Sequence, residues 1–302
     1  MIEIMTGKMI GKMIRTKILL VLAAVLVLVQ AAYGADKTFV EITSVVKNVD
    51  VSKIGLNDDV WQSVTAYRQP LQRQFLVEPK PKDVGVKELH VQSVNDGKYI
   101  AFRLSWKDDT KDDTIKVTSF SDAAAIQFPI SSDPLPEYFM GEPKKPVHIL
   151  FWKAWRSKDK KDGIQTVKTS YPNMTIDMYT YDYKVSGAGT EKTQAQKDIF
   201  IPGRAASNPI DAVHKEIIEE ATAEGPSTLK TKPAENTTGD AQWQNGTWTL
   251  VMIRPMTVAD KESVQFKAGE KKPIAFAVWE GSHMEGGGRK AVSAAWAEVL
   301  VK

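Results

Sequence analysis

From Gly97 to Asp109 the chain alternates apolar and polar residues with a period of two. In GKYIAFRLSWKDD, Ile100, Phe102, Leu104 and Trp106 point one way while Tyr99, Arg103 and Ser105 point the other, the pattern of a half-buried strand. Asn95-Asp96-Gly97 just before it supplies a tight turn, so HVQSVNDGKYIAFRLSW predicts a β-hairpin. WQNGTW repeats the signal, with Asn245-Gly246 between two Trp residues. Further strands are predicted in AAAIQFPI, VHILFWKAW, TIDMYTYDY, TWTLVMIRPM, PIAFAVWEG and AVSAAWAEVLV. One stretch takes a helical period: Asn208 caps, Pro209 occupies the first turn, Ile210, Val213 and Ile217 share a face, and Gly225-Pro226 ends it. Many short strands and one clear helix predict a mainly β fold, an antiparallel β-sandwich with long loops and one or two short helices. Residues 157–240 are more polar and read as long loops projecting from that sandwich, and no internal repeat is visible.

The N-terminus has a different grammar. Lys8, Lys12, Arg15 and Lys17 precede an unbroken apolar run, Ile18 to Val29, and QAAYGAD then offers small residues at Ala32 and Gly34. This is the pattern of a secretory signal cleaved near Gly34/Ala35, and the run is shorter than the roughly 20 apolar residues of a spanning helix. The expectation is a signal peptide over 1–34, a single exported (periplasmic) domain over 35–302, and membrane contact only if the leader is retained. Of 40 basic and 37 acidic residues, four and one lie before Ala35, so the remainder carries 36 of each. A near-neutral mature chain lacks the basic footprint of nucleic-acid binding. The absence of cysteine excludes disulfides, iron–sulfur ligation by this chain and covalent c-type haem attachment.

Few residues offer chemistry. KDDTKDDT (Lys107 to Thr114) is an acidic cluster with the ligand class of calcium, but without a calcium-loop pattern it reads as a solvated turn. No nucleophile-elbow, zincin or phosphate-loop motif is present. His90, His148, His214 and His283 have no local metal-ligand spacing. Two features resist a bland reading. Met140, in YFMGEP, sits on a turn where a thioether is poorly placed to fill a core. Lys290, after Gly286-Gly287-Gly288, is flanked by Ala291, Val292, Ala294 and Ala295. A lysine there snorkels to water, or it serves as a neutral amine bound to a metal.

The stretches DDVWQS, HVQSVNDGKYIAFRLSWKDDT, DAAAIQFP, YFMGEP, ILFWKAW, PGRAASNP, AEGPSTL, NGTWTLVMIRPM and IAFAVWEGSHMEGGGRKAVSAAW occur in the order found in a known group. In these the chain resembles the haem-b-binding gamma subunits of the ethylbenzene and dimethylsulfide dehydrogenase group, which includes chlorate and selenate reductase gamma subunits of the type II dimethylsulfoxide-reductase branch. The resemblance implies a sandwich similar to carbohydrate-binding modules that holds one haem b, with axial methionine and lysine. By motif position these are Met140 and Lys290; His148, His283 and Met284 stand as alternatives for the second ligand. It further implies Ile126, Phe128, Phe151 and Trp152 as walls around the porphyrin, and Lys153 and Arg289 as partners for its propionates. The chain would then be a non-catalytic electron-transfer subunit, a cytochrome. It would assemble with an iron–sulfur beta subunit and a molybdopterin alpha subunit and exchange electrons with a soluble cytochrome or quinone-linked carrier. The rival reading is an exported carbohydrate-binding sandwich without haem, presenting Trp61, Trp243 and Trp248 to sugars.

Overall fold

Alternation and turn chemistry build the strands as expected. The computed structural model describes residues 41–165, 167–173, 206, 216–232 and 237–302. Among these run thirteen strands: β1 (Glu41–Val46), β2 (Tyr67–Arg73), β3 (Glu88–Asn95), β4 (Tyr99–Lys107), β5 (Ala123–Pro129), β6 (Val147–Lys153), β7 (Ile218–Ala223), β8 (Lys230–Lys232), β9 (Thr238–Gln244), β10 (Thr247–Pro255), β11 (Lys271–Trp279), β12 (Ala291–Ser293) and β13 (Ala297–Val301). β3 and β4 pair as the predicted hairpin, with Asn95 opposite Ile100. β9 and β10 close over Asn245 and Gly246, whose φ values of 51° and 70° are those of the two-residue turn that matches strand twist.

The ladder runs β8-β7-β6-β5-β11-β12-β2-β3-β4-β10-β9, with β13 between β11 and β1, and β1 beside β3. Every pairing is antiparallel except those of β1, which are parallel. Two strands turn the corner between layers. β11 pairs with β13 through Ile274 and with β5 from Ala275 onward. β2 pairs with β3 through Pro70 and with β12 from Leu71. The two layers meet in an aromatic core: Phe102 packs on Phe128 at 5.6 Å, Trp106 on Trp152 at 6.0 Å and Trp152 on Trp248 at 4.9 Å between centroids.

β5 is buried at every position, so both of its faces are covered. Ala124, Ile126 and Phe128 join the inner core, as do Leu150 and Trp152 of β6. Ala123, Ala125, Ile149 and Ala275 belong to a separate cluster on the outer face, with Trp279, Trp296 and half-buried Tyr138, Met140, Phe151 and Ala277.

Two expectations are corrected. The helix expected from Asn208 to Gly225 lies partly outside the described residues, and its second half is strand β7. Glu219 and Glu220 have good helix propensity, but each has a buried partner on opposite faces of the strand. Arg156 donates to Glu219 at 2.7 Å and His148 lies 3.0 Å from Glu220; tertiary pairing overrides propensity. Residues 157–240 are likewise not all loop. Helix α1 (Ala154–Asp162) follows β6 directly, and β7 and β8 extend the outer layer. The strand expected in TIDMYTYDY falls outside the described residues.

Candidate functional site

The outer face of β5 and β11 is built from small residues. Ala125 stands opposite Ala277, Gln127 opposite Ala275, and Ala123 opposite Trp279. Above this low floor close the segments at 74–78, 114–121, 138–140, 226–229 and 285–290, leaving a cavity of about 690 Å³, ample for a small-molecule or cofactor site. Its walls are largely apolar, with Phe120, Phe139, Phe151 and Trp279 among them.

Met140 and Lys290 meet in this cavity. They are 150 residues apart in sequence, and Lys290 Nζ lies 3.7 Å from Met140 Sδ. Met140 adopts the left-handed backbone conformation with φ 68°, uncommon for a residue with a side chain. Gly141 follows at φ 78°, and a Cβ there would stand 2.8 Å from Lys145 O and 3.0 Å from Ala223 O. Two positive φ values in succession turn the chain so that the thioether enters the cavity. Lys290 precedes β12, with its amine 5.0 Å from the Trp279 ring centroid. Burial alone lowers its pKa from 10.5 to about 8, because an apolar wall disfavours the ammonium form. A polarizable thioether and an amine that parts easily with its proton can together complete the coordination of a soft or borderline metal ion.

The remaining expected residues divide. Lys153 lines the cavity; its amine sits 3.6 Å from Glu219 and 4.6 Å from the Phe151 centroid, and burial lowers its pKa. Arg289 stands beside Lys290 with its guanidinium 5.8 Å from the Phe120 ring, and its Nε is buried without a hydrogen-bond partner. Phe151 walls the cavity as expected. Ile126, Phe128 and Trp152 do not: all three are fully buried in the inner core, because strand parity turns them to the opposite layer. The positions that face the cavity instead are Ala125, Gln127, Ala275 and Ala277. The signal for these was present in AAAIQFP and IAFAVW, where small residues recur at every second position.

The described histidines stand apart from the cavity. His148 is fully buried on the inner face, with its pKa lowered to about 4 mainly by burial. His283 and Met284 are exposed, His90 is about half exposed, and His214 lies outside the described residues. Trp61 and Trp248 are buried, at 4% and 2% exposure, and the half-buried Trp243 donates to Asp108 O, so these three form no sugar-stacking platform. Among the described residues no group of three or more His, Cys, Asp or Glu side chains is placed to hold a metal ion, KDDTKDDT included. Nor is any helix among them long and apolar enough to cross a membrane.

Comparisons with known proteins give the chain's family. The chain is 28% identical over 236 residues to a respiratory nitrate reductase heme subunit of Haloferax mediterranei, covering 78% of this chain and 64% of that one. It is 25% identical to the chlorate reductase subunit gamma of Ideonella dechloratans, covering 70% and 63%. It is 23% identical to the dimethylsulfide dehydrogenase subunit gamma of Rhodovulum sulfidophilum, covering 80% and 72%. The chain thus spans a little under two thirds of the length of the first two relatives. Among solved structures, a family 9 carbohydrate-binding module of Caldicellulosiruptor kristjanssonii aligns over 87% of this chain and 93% of its own at 8% identity, with a TM-score of 0.40, a likeness too loose to carry function. A family profile described as Ethylbenzene dehydrogenase matches residues 58–291, and the chain therefore belongs to the ethylbenzene dehydrogenase family.

Proposed function

We propose that this chain is the haem b electron-transfer subunit of an exported molybdopterin oxidoreductase complex. It relays electrons between an iron–sulfur partner subunit and an external carrier, a soluble cytochrome or a quinone-linked protein. The observation that carries the reading is the meeting of Met140 and Lys290 at 3.7 Å inside an apolar cavity of about 690 Å³. The names of the relatives, a heme subunit and two gamma subunits of such enzymes, support it.

The residues present fit the group. The alanines of β5 and β11 leave a floor flat enough for a planar macrocycle, and Phe151 and Trp279 offer aromatic faces beside it. Lys153 on the cavity wall would supply positive charge for its propionates, and Arg289, which is not itself a lining residue but has a buried Nε in want of an acceptor, would add to it from behind. A bound haem supplies reversible one-electron chemistry at its iron. Met140 would give the iron a soft neutral ligand, which favours the reduced state. Lys290 would give an amine whose proton burial has already loosened. With Met140 and Lys290 both offered as ligands by the chain, the group would carry electrons rather than take up a substrate. The signal-like segment before Ala35 would direct export.

Affinity isolation of the tagged chain from its native host tests the reading. Haem b, molybdenum and non-haem iron should elute with the chain in fixed ratio. A chain that elutes alone and without haem would overturn it.

A further inference from the structure

Methionine has three rotatable side-chain bonds and no preferred direction of its own. A thioether that must stay in one place therefore needs its backbone fixed from outside. The segment carrying Met140 makes two backbone contacts of this kind: Gly141 N donates to Glu137 O at 3.1 Å, and Gly225 N donates to Met140 O at 2.8 Å. Two buried side chains reach into the same segment. Trp296, 6% exposed, lies between β12 and β13 and donates its indole N–H to Pro136 O at 2.8 Å. Gln127, 8% exposed, rises from the cavity floor on β5 and donates its amide to Tyr138 O. The accepting carbonyls lie four and two residues before Met140.

We propose that Trp296 and Gln127 are positioning residues for Met140: by anchoring the 136–140 segment to the sheet they hold the thioether toward Lys290 and set how firmly it stays on a haem iron. The inference rests on the haem reading above. The indole nitrogen has a proton and no lone pair to offer a metal, so Trp296 acts through the segment. A purely packing role would need the ring but not the N–H.

The test uses the full chain with haem bound and reads the affinity of its ferrous form for carbon monoxide, which competes with a loosely held axial ligand. Trp296→Phe keeps the ring and removes the donor; Gln127→Leu does the same for the amide. Each should raise the affinity about fivefold, the population change that one net hydrogen bond commands, toward the limit set by Met140→Ala. Trp61→Phe is the control. It removes an equivalent indole bond, to Gly55 O at 2.8 Å, in a separate cluster of the core, and should leave the affinity unchanged. If Trp296→Phe does not fold, Gln127→Leu carries the test. The inference is overturned if the positioning variants bind carbon monoxide as wild type does, or if Trp61→Phe matches them. A wild-type chain that takes up no haem instead overturns the functional reading, and a Met140→Ala chain indistinguishable from wild type overturns the ligand.

Discussion

Replacing Lys290 with leucine should make the haem-free protein more stable and cost it its haem. Folding transfers the Lys290 amine from water to a wall shared with Trp279 and Met140, and its pKa falls from 10.5 to about 8. That gap of about 2.5, at ~1.4 kcal/mol for each pH unit, is a penalty of about 3 kcal/mol at neutral pH. The sign follows from linkage. A lysine depressed by folding sheds its proton more readily in the native state, so the penalty is full below pH 8 and fades as pH rises toward 10.5, to about 1 kcal/mol at pH 9.5. Leucine fills much of the same space without a charge and offers no atom to a metal. It gives up the cation–π contact with Trp279, about 0.5–1 kcal/mol, so the expected net gain is about 2 kcal/mol at pH 7. Urea unfolding of the two haem-free proteins at pH 7 and 9.5 reads this directly. In the haem-loaded state the order reverses, because ligand binding stabilises only the chain that can bind it. A Lys290→Leu protein no more stable than wild type at pH 7, or a difference that ignores pH, would refute the reasoning. The comparison also separates a ligand from a snorkelling lysine, whose replacement leaves haem content intact.

Three other expectations follow from the same geometry. Gly141→Ala places a methyl against Lys145 O and Ala223 O at a φ of 78°, so it should destabilise the fold by about 2 kcal/mol and alter the haem spectrum, since the next residue back is Met140. Ala277→Leu raises the cavity floor opposite Ala125; haem content should collapse while the haem-free melting temperature changes little, as measured by absorbance and calorimetry. Asp108 is 3% exposed with an unpartnered Oδ2, and burial first, then Glu280 and Asp112, raise its pKa to about 6. A carboxylate raised by folding costs nothing below pH 4 and its full penalty above pH 6. Asp108→Asn should therefore stabilise the protein by about 2 kcal/mol at pH 8 and by nothing at pH 4, read from urea midpoints at the two values.

How much of this was legible beforehand depends on which force set each feature. The hairpins were legible because Asn95-Asp96-Gly97 and Asn245-Gly246 fix turn geometry locally and the flanking residues alternate. The cavity floor was partly legible. β5 is buried on both faces, so hydrophobicity alone could not say which side of AAAIQFP faces the opposite layer. The large residues Ile126, Phe128 and Trp152 fill the space between layers, and the small ones, Ala123 and Ala125, leave room outside. Side-chain volume at alternate positions carried that information. β7 was illegible, because what keeps Ile218–Ala223 extended is the pairing of Glu219 with Arg156 and of Glu220 with His148, partners 63 and 72 residues away. Met140 and Lys290 were matched through resemblance; their oddity was visible locally, in a thioether on a turn and a lysine among alanines. Their approach to 3.7 Å is a property of the fold alone.

The most direct measurement is the absorption and electron paramagnetic resonance spectrum of the haem-loaded chain beside Met140→Ala and Lys290→Ala. Wild type should hold one low-spin, six-coordinate haem b, and each variant should turn high-spin or lose the cofactor. Identical low-spin spectra from all three would contradict the account.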